Sequence, residues 1–166
     1  MLDLQSKISE IVLQNIPMEA AVSRIEFEGP RIAIYTKRPE ALVEQSHIVT
    51  EIVGIIRKRI VIRSDPSVLM DEREAERIIK EMVPTDAEVT NLSFDPTIGE
   101  VVIEAKKPGL VIGKDGIALQ EMIKATKWRP RILRTPPIPS KIISNIRHYL
   151  HSECKERERI LRTVGE

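Results

Sequence analysis

The chain repeats itself, and that repetition limits what it can fold into. Ile32-Ala33-Ile34-Tyr35-Thr36-Lys37-Arg38-Pro39 aligns with Val101-Val102-Ile103-Glu104-Ala105-Lys106-Lys107-Pro108 at an offset of 69. Upstream, Pro17, Val22 and Phe27 match Pro84, Val89 and Phe94 at 67, and downstream Ile62, Arg63 and Pro66 match Leu133, Arg134 and Pro137 at 71. The markers keep their order and character, and each drift of two is a small insertion in a turn. Two copies of one unit, fused in tandem, account for this pattern.

Each copy parses alike. In the first, Leu4, Ile8, Ile11 and Val12 have helical spacing, and Pro17 ends that helix. Residues 21–27 alternate as a strand, Glu28-Gly29-Pro30 is a turn, and residues 32–36 form a second strand. Residues 41–58 read as helical and residues 60–62 as a third strand. The second copy has a helix over 71–82, strands over 88–94 and 100–105, a helix from Gly116 to Thr126 and a strand over 130–134. The order helix–strand–strand–helix–helix–strand predicts an α+β fold, with a three-stranded sheet covered by helices on one face in each copy. The expected divisions are 1–68, 69–137 and a tail over 138–166. In that tail Pro136, Pro137 and Pro139 break the chain, Ser140 is a candidate N-cap, and a last helix runs to about Leu161.

Composition excludes several classes. With 42% apolar and 31% charged residues the chain reads as globular, and its core must be aliphatic because aromatics are only 3%. One cysteine, Cys154, rules out an internal disulfide and fits a reducing, cytoplasmic setting. The first residues lack the basic-then-apolar pattern of a signal peptide, and no apolar run approaches the ~20 residues of a membrane span. A net charge of +1 hides an asymmetry: residues 71–100 hold nine acids against three bases, and residues 106–134 hold eight bases against two acids. A local basic run of that kind is either a solvated face or a nucleic-acid face.

Within the basic stretch stands Pro-Gly-Leu-Val-Ile-Gly-Lys-Asp-Gly-Ile, residues 108–117. A phosphate-binding P-loop is excluded, because Pro108 takes the first glycine position and Asp115 takes the Ser/Thr position. No Gly-x-Gly-x-x-Gly is present either. The spacing of Gly113 and Gly116 suits a Gly-x-x-Gly loop between two helices, of the kind a KH domain lays against a sugar–phosphate backbone. In that reading Gly113, Lys114, Asp115 and Gly116 form the clamp. Ile112, Ile117 and Leu119 flank an aliphatic groove for bases. Lys106, Lys107, Lys124, Lys127, Arg131 and Arg134, with Arg129, supply positive charge. Three phosphate contacts would give a salt slope of roughly −2 on a single strand. The bland alternative is that the glycines only make a helix–helix turn. The first copy carries Glu44-Gln45-Ser46-His47 at the aligned positions, so the frame itself does not require glycines there. That copy reads as degenerate, either extending the surface or packing against a partner.

The element order resembles the type II, prokaryotic form of the KH fold. The segments EFEGPRIAIYTKRPE, FDPTIGEVVIEAKKPGLVIGKDG and WRPRILRTPPIPSK resemble the N-terminal region of archaeal ribonucleases. These are homologues of the cleavage and polyadenylation specificity factor, in the metallo-β-lactamase/β-CASP family. The resemblance implies a larger, dimerising polypeptide whose catalytic body binds zinc, cleaves RNA and acts in 3′-end formation and transcription termination. The family's His-x-His-x-Asp-His motif is absent from this chain, so no catalytic residue and no cofactor are expected in it, and zinc only in a separate catalytic domain. Single-stranded RNA is the expected partner, with DNA an open alternative and no membrane partner. A free-standing tandem KH factor and a dimerisation module with incidental RNA binding are the competing readings. Asp115 departs from the usual basic pair of the loop: it either weakens phosphate binding or caps the next helix.

Other constellations are weaker. His148, His151 and Cys154 stand three apart, which spreads them over about 120° of a helix and argues against a metal site. Trp128 is read as packing beside the following strand rather than stacking on a base.

Overall fold

The computed structural model describes residues 2–136 and 141–165. Helix α1 (Leu2–Asn15) leads through a single 3₁₀ turn (Met18–Ala20) into strands β1 (Val22–Glu28) and β2 (Arg31–Thr36). Helices α2 (Pro39–Glu44) and α3 (Ser46–Ile56) and strand β3 (Arg59–Ser64) complete the first unit. The helical stretch read over 41–58 resolves into the two helices that the element order expects, parted at Gln45. The second unit repeats the order with α4 (Glu72–Met82), β4 (Val89–Asp95), β5 (Glu100–Ala105), α5 (Pro108–Ile112), α6 (Ile117–Thr126) and β6 (Arg129–Arg134). Helix α7 (Lys141–Gly165) follows; Pro137, Pro139 and the proposed cap Ser140 lie outside the described residues.

Each unit holds one three-stranded sheet, ordered β1-β2-β3 and β4-β5-β6. In both, a hairpin pairs the first two strands antiparallel and the third joins the central strand in parallel. The parallel pairing needs a crossover, and the two helices between β2 and β3, or β5 and β6, supply it. The fold is α+β, as the repeat predicts, and its elements form tandem KH-like units.

The repetition extends to backbone irregularities. Ala21 and Glu88 end equivalent 3₁₀ turns at φ 49° and 51°, and Arg57 and Lys127 end α3 and α6 at φ 52° and 63°. A bulge falls between Val22 and Arg24 and again between Val89 and Asn91. Non-glycine residues rarely adopt a left-handed backbone, so its recurrence at paired positions reflects a shared framework rather than local sequence.

Both cores are aliphatic, as composition requires. Ile8, Val12 and Ile16 of the first helical segment meet Ile32 and Ile34 of β2, with Leu42 and Ile52 above them. The second core gathers Ala75, Ile79, Val101, Ile103, Val111, Met122 and Trp128. Trp128 is the largest exception to aliphatic packing among the described residues, and it is buried. Its indole Nε1 donates to the carbonyl of Met70 at 2.8 Å, and Phe94 meets its ring edge-on at 4.9 Å. The reading of Trp128 as a packing residue therefore holds.

The far face of the first sheet is unusually polar and closed. Glu28 and Arg63 are buried there as a two-pronged ion pair, and Arg63 also donates to the Tyr35 hydroxyl at 3.1 Å. The Arg24 guanidinium lies 4.0 Å from the Tyr35 ring centroid. Helix α7 runs back along β1, and a Cβ added to Gly29 would meet Leu161 at 3.0 Å.

Candidate nucleic-acid interface

Helix α5 begins with Pro108 at its first turn, where the missing N–H costs nothing, and ends after five residues. Its C-cap Gly113 sits at φ 71°, ψ −178°, a region open essentially to glycine alone. Asp115 (φ 55°) and Gly116 (φ 74°) are also left-handed, so three of the four loop residues have positive φ. The aligned Glu44-Gln45-Ser46-His47 turn has none, because α3 starts at Ser46 and leaves Gln45 as a simple break. The topology tolerates loss of the glycines, but this loop path does not.

The two glycines differ in surroundings. A Cβ on Gly113 would lie 3.0 Å from the Ala118 side chain, so this glycine is held by the turn itself. A Cβ on Gly116 would meet nothing within 4 Å, so its outer face is open. Gly116 is also the N-cap of α6, and no side chain caps that helix. Asp115 thus does not cap α6; the Ile117 N–H is taken by the Lys114 carbonyl, and the next backbone N–H groups of the first turn have no side-chain cap. Around the loop, Leu110, Ile112 and Ile117 are 44%, 37% and 52% exposed. Leu119, expected in the groove, is half-buried and packs against the second core. Leu110 was missed because a five-residue helix shows no periodicity to separate it from buried Val111.

The cations named from the sequence are mostly engaged. Lys106 donates to Glu88 at 2.6 Å and Lys107 lies 3.8 Å from the same carboxylate. The Lys106 hydrogen bond and charge hold the Glu88 carboxyl below its ordinary range. Arg131 is 3.5 Å from Glu100, and Arg134 also interacts within the protein. Lys127 donates to Glu40 at 2.7 Å and Lys124 pairs with Glu44, both across the two units. The Glu44 contact raises the Lys124 pKa. Lys114 has no ion-pair partner among the described residues and is exposed. Exposed pairs are worth little and exchange readily for a phosphate, but Lys124 and Lys127 first serve to join the units.

That junction is end to end. Ser64 Oγ, at the end of β3, donates to the carbonyl of Lys127, and Arg129 Nη1 donates to the carbonyl of Ile62 at 3.1 Å. Gly99 lies so close that a Cβ on it would be 3.1 Å from the Ser64 carbonyl oxygen. The carboxyl end of the first sheet therefore abuts the amino end of the second. The first unit's loop region is used up as a docking surface, while the second unit's loop lies at the free carboxyl end. At the positions of Glu40 and Glu44 the second unit has Gly109 and Gly113, which carry no acid.

No group of three His, Cys, Asp or Glu that could hold a metal occurs among the described residues, and His151 and Cys154 lie outside the described side chains. No helix among the described residues is long and apolar enough to cross a membrane.

Two units of helix–strand–strand–helix–helix–strand order, one with an open Gly-x-x-Gly loop between helices, define a tandem KH-like protein. The likeness is closer than the class. Residues 3–69 match the family model described as "Transcription termination factor FttA, KH domain". The chain is 47% identical over 163 residues to "Transcription termination factor FttA" of Thermococcus kodakarensis, covering 98% of this chain and 25% of that protein. Against the proteins of the same name in Pyrococcus abyssi and Methanothermobacter thermautotrophicus it is 50% identical, over 95% and 98% of this chain. The chain spans about a quarter of the length of the curated relatives it matches, 24% and 26% for these two. The matched family model covers the copy without glycines, so that copy is a KH unit in its own right.

Proposed function

We propose that the chain is a non-catalytic module that binds single-stranded RNA and presents it to a zinc-dependent β-CASP ribonuclease domain of the same polypeptide, acting in 3′-end processing and transcription termination. The module consists of KH domains over about 1–68 and 69–137, with 138–166 leading toward the catalytic domain. The second unit clamps the RNA backbone and the first unit braces it. The observation that carries this reading is the loop itself. Its backbone is left-handed at Gly113, Asp115 and Gly116, its outer face is open at Gly116, and Lys114 is unpaired among the described residues. The uncapped start of α6 adds N–H donors and the positive end of the helix dipole. Exposed Leu110, Ile112 and Ile117 give bases an apolar surface, which explains how a chain with 3% aromatic residues can hold them. The relatives' name, a transcription termination factor, supports the process. In this reading zinc belongs to the catalytic domain.

The test is RNA binding by this chain across salt, with and without Lys114→Asp. The variant should bind more weakly, with a slope shallower by about 0.7 for each phosphate the side chain no longer neutralises. Equal affinity and slope in the two proteins would sink the clamp. No nuclease activity is expected from the chain alone.

A further inference from the structure

Apart from Lys114, a cluster of cations without ion-pair partners among the described residues stands outside the basic run of residues 106–134, in the first unit. Arg57 ends α3 in a left-handed conformation, and Arg59 opens β3 directly opposite Arg31 of β2. Lys58 stands between them. Arg57, Lys58 and Arg59 have no ion-pair partner among the described residues, whereas Lys106, Lys107, Lys124, Lys127 and Arg131 of the second unit all do. The three cations stand at the amino end of β3, with Arg31 beside them 3.9 Å from the Glu28 carboxylate. The Gly-Lys-Asp-Gly loop lies at the free carboxyl end of the second sheet. Two six-residue strand stacks in series place these poles on the order of 40 Å apart.

The repeat indicates what such a turn receives. Its equivalent in the second unit, Lys127-Trp128-Arg129, is occupied: it takes the Glu40 carboxylate, the Ser64 hydroxyl and the Ile62 carbonyl. In the first unit the same turn has no such partner among the described residues, and Arg57 and Arg59 are exposed. Another KH-like unit cannot seat on it in the same way, because Gly99, which allows the close approach, is replaced by Pro30, and Glu100 by Arg31. Nor can a second copy of this chain supply the acids from α5, which has Gly109 and Gly113 in their place. A cation cluster rich in arginine matches phosphate oxygens, because the guanidinium fork donates two hydrogen bonds to one anion.

We propose that the Arg57-Lys58-Arg59 turn, with Arg31, is a second contact for the phosphate backbone of the same single strand, so that a long RNA is held at both poles of the tandem. The proposal rests on the RNA-binding reading only in its choice of ligand. The test uses the 166-residue chain and two RNAs. One has about five nucleotides, near the four that one Gly-x-x-Gly loop clamps. The other has about 20, enough to span both poles at ~3.4 Å or more per nucleotide. The variant is Arg57→Asn, Lys58→Gln and Arg59→Gln, with Asn chosen because it tolerates the left-handed backbone. It should bind the short RNA within about twofold of the parent, bind the long one about tenfold more weakly at low salt, and show a slope shallower by about 2 on the long one. Unchanged binding of the long RNA overturns the proposal, and if the same variant loses a polyglutamate probe, the turn belongs to an acidic protein segment instead. Equal loss on both lengths also overturns it, because the short RNA reports on the clamp alone. Lys114→Asp is read separately: it should weaken both lengths, and its failure to do so would count against the clamp without touching this turn.

Discussion

Lys127, at the end of α6, places its Nζ 2.7 Å from Oε1 of Glu40 at the start of α2, 87 residues away in the chain. The contact is largely shielded, with side chains 28% and 18% exposed, and the second Glu40 oxygen is buried without a hydrogen-bond partner. Removing the ammonium leaves a carboxylate that water reaches poorly. Lys127→Gln should therefore cost about 2 kcal/mol of stability, while Lys124→Gln, which breaks the exposed pair to Glu44, should cost far less. Urea unfolding of the two variants checks this. Equal costs would mean that the junction is no more than a surface contact.

The loop glycines should separate by role. Gly113→Ala meets both a glycine-only backbone and the Ala118 side chain at 3.0 Å, so it should destabilise by roughly 2–3 kcal/mol. Gly116→Ala meets only the left-handed penalty, about 1 kcal/mol, since nothing lies within 4 Å. The order should reverse in RNA binding by folded protein, because a methyl on Gly116 occupies the open face that a phosphate would approach. Thermal melts and binding on the same samples give both rankings.

Much of the fold was legible because the chain states it twice. A weak strand or turn in one copy is read from the other, and strands β2 and β5 were located within a residue. The Gly-x-x-Gly loop was legible for the same reason: its position in the repeat gave a common motif its meaning. The fate of the cations was not. The charge count over 106–134 treats that stretch alone, yet the carboxylates that answer Lys124 and Lys127 sit in the other copy. Nor could a sequence show that Gly113 and Asp115 take left-handed conformations while Gln45 does not. That difference depends on where α3 starts.

Asp65 stands just after β3, where the first unit leads into the second, and should make stability pH-dependent. Hydrogen bonds from the Ser23 hydroxyl, then from the hydroxyl and backbone N–H of Ser67, lower its carboxyl from an ordinary 3.8 to about 2. A depressed carboxyl contributes stability that is full above its unfolded pKa and lost as pH falls through the folded one. The loss should fall between about pH 4 and pH 2. Asp65→Asn should be less stable than the parent at neutral pH, and the gap should narrow across that window as the parent's carboxyl protonates. A gap that is flat from pH 5 to about 2 would remove Asp65 from the linkage.

The Glu28–Arg63 pair tests how the first unit is held from behind. Both side chains are buried, 0% and 4% exposed, and Arg63 also holds the Tyr35 hydroxyl at 3.1 Å. Breaking such a pair by removing one partner strands a charge away from water, which costs about 3–5 kcal/mol. Glu28→Gln and Arg63→Met should each destabilise by that order. The double variant should cost less than the sum of the two, because neither charge is then left alone. A double-mutant cycle by urea unfolding reads the coupling. Helix α7 runs along β1, which carries Glu28, so hydrogen exchange in α7 should quicken in either single variant. Simple additivity with unchanged exchange in α7 would show that the pair neither stabilises the sheet cooperatively nor helps to dock the helix.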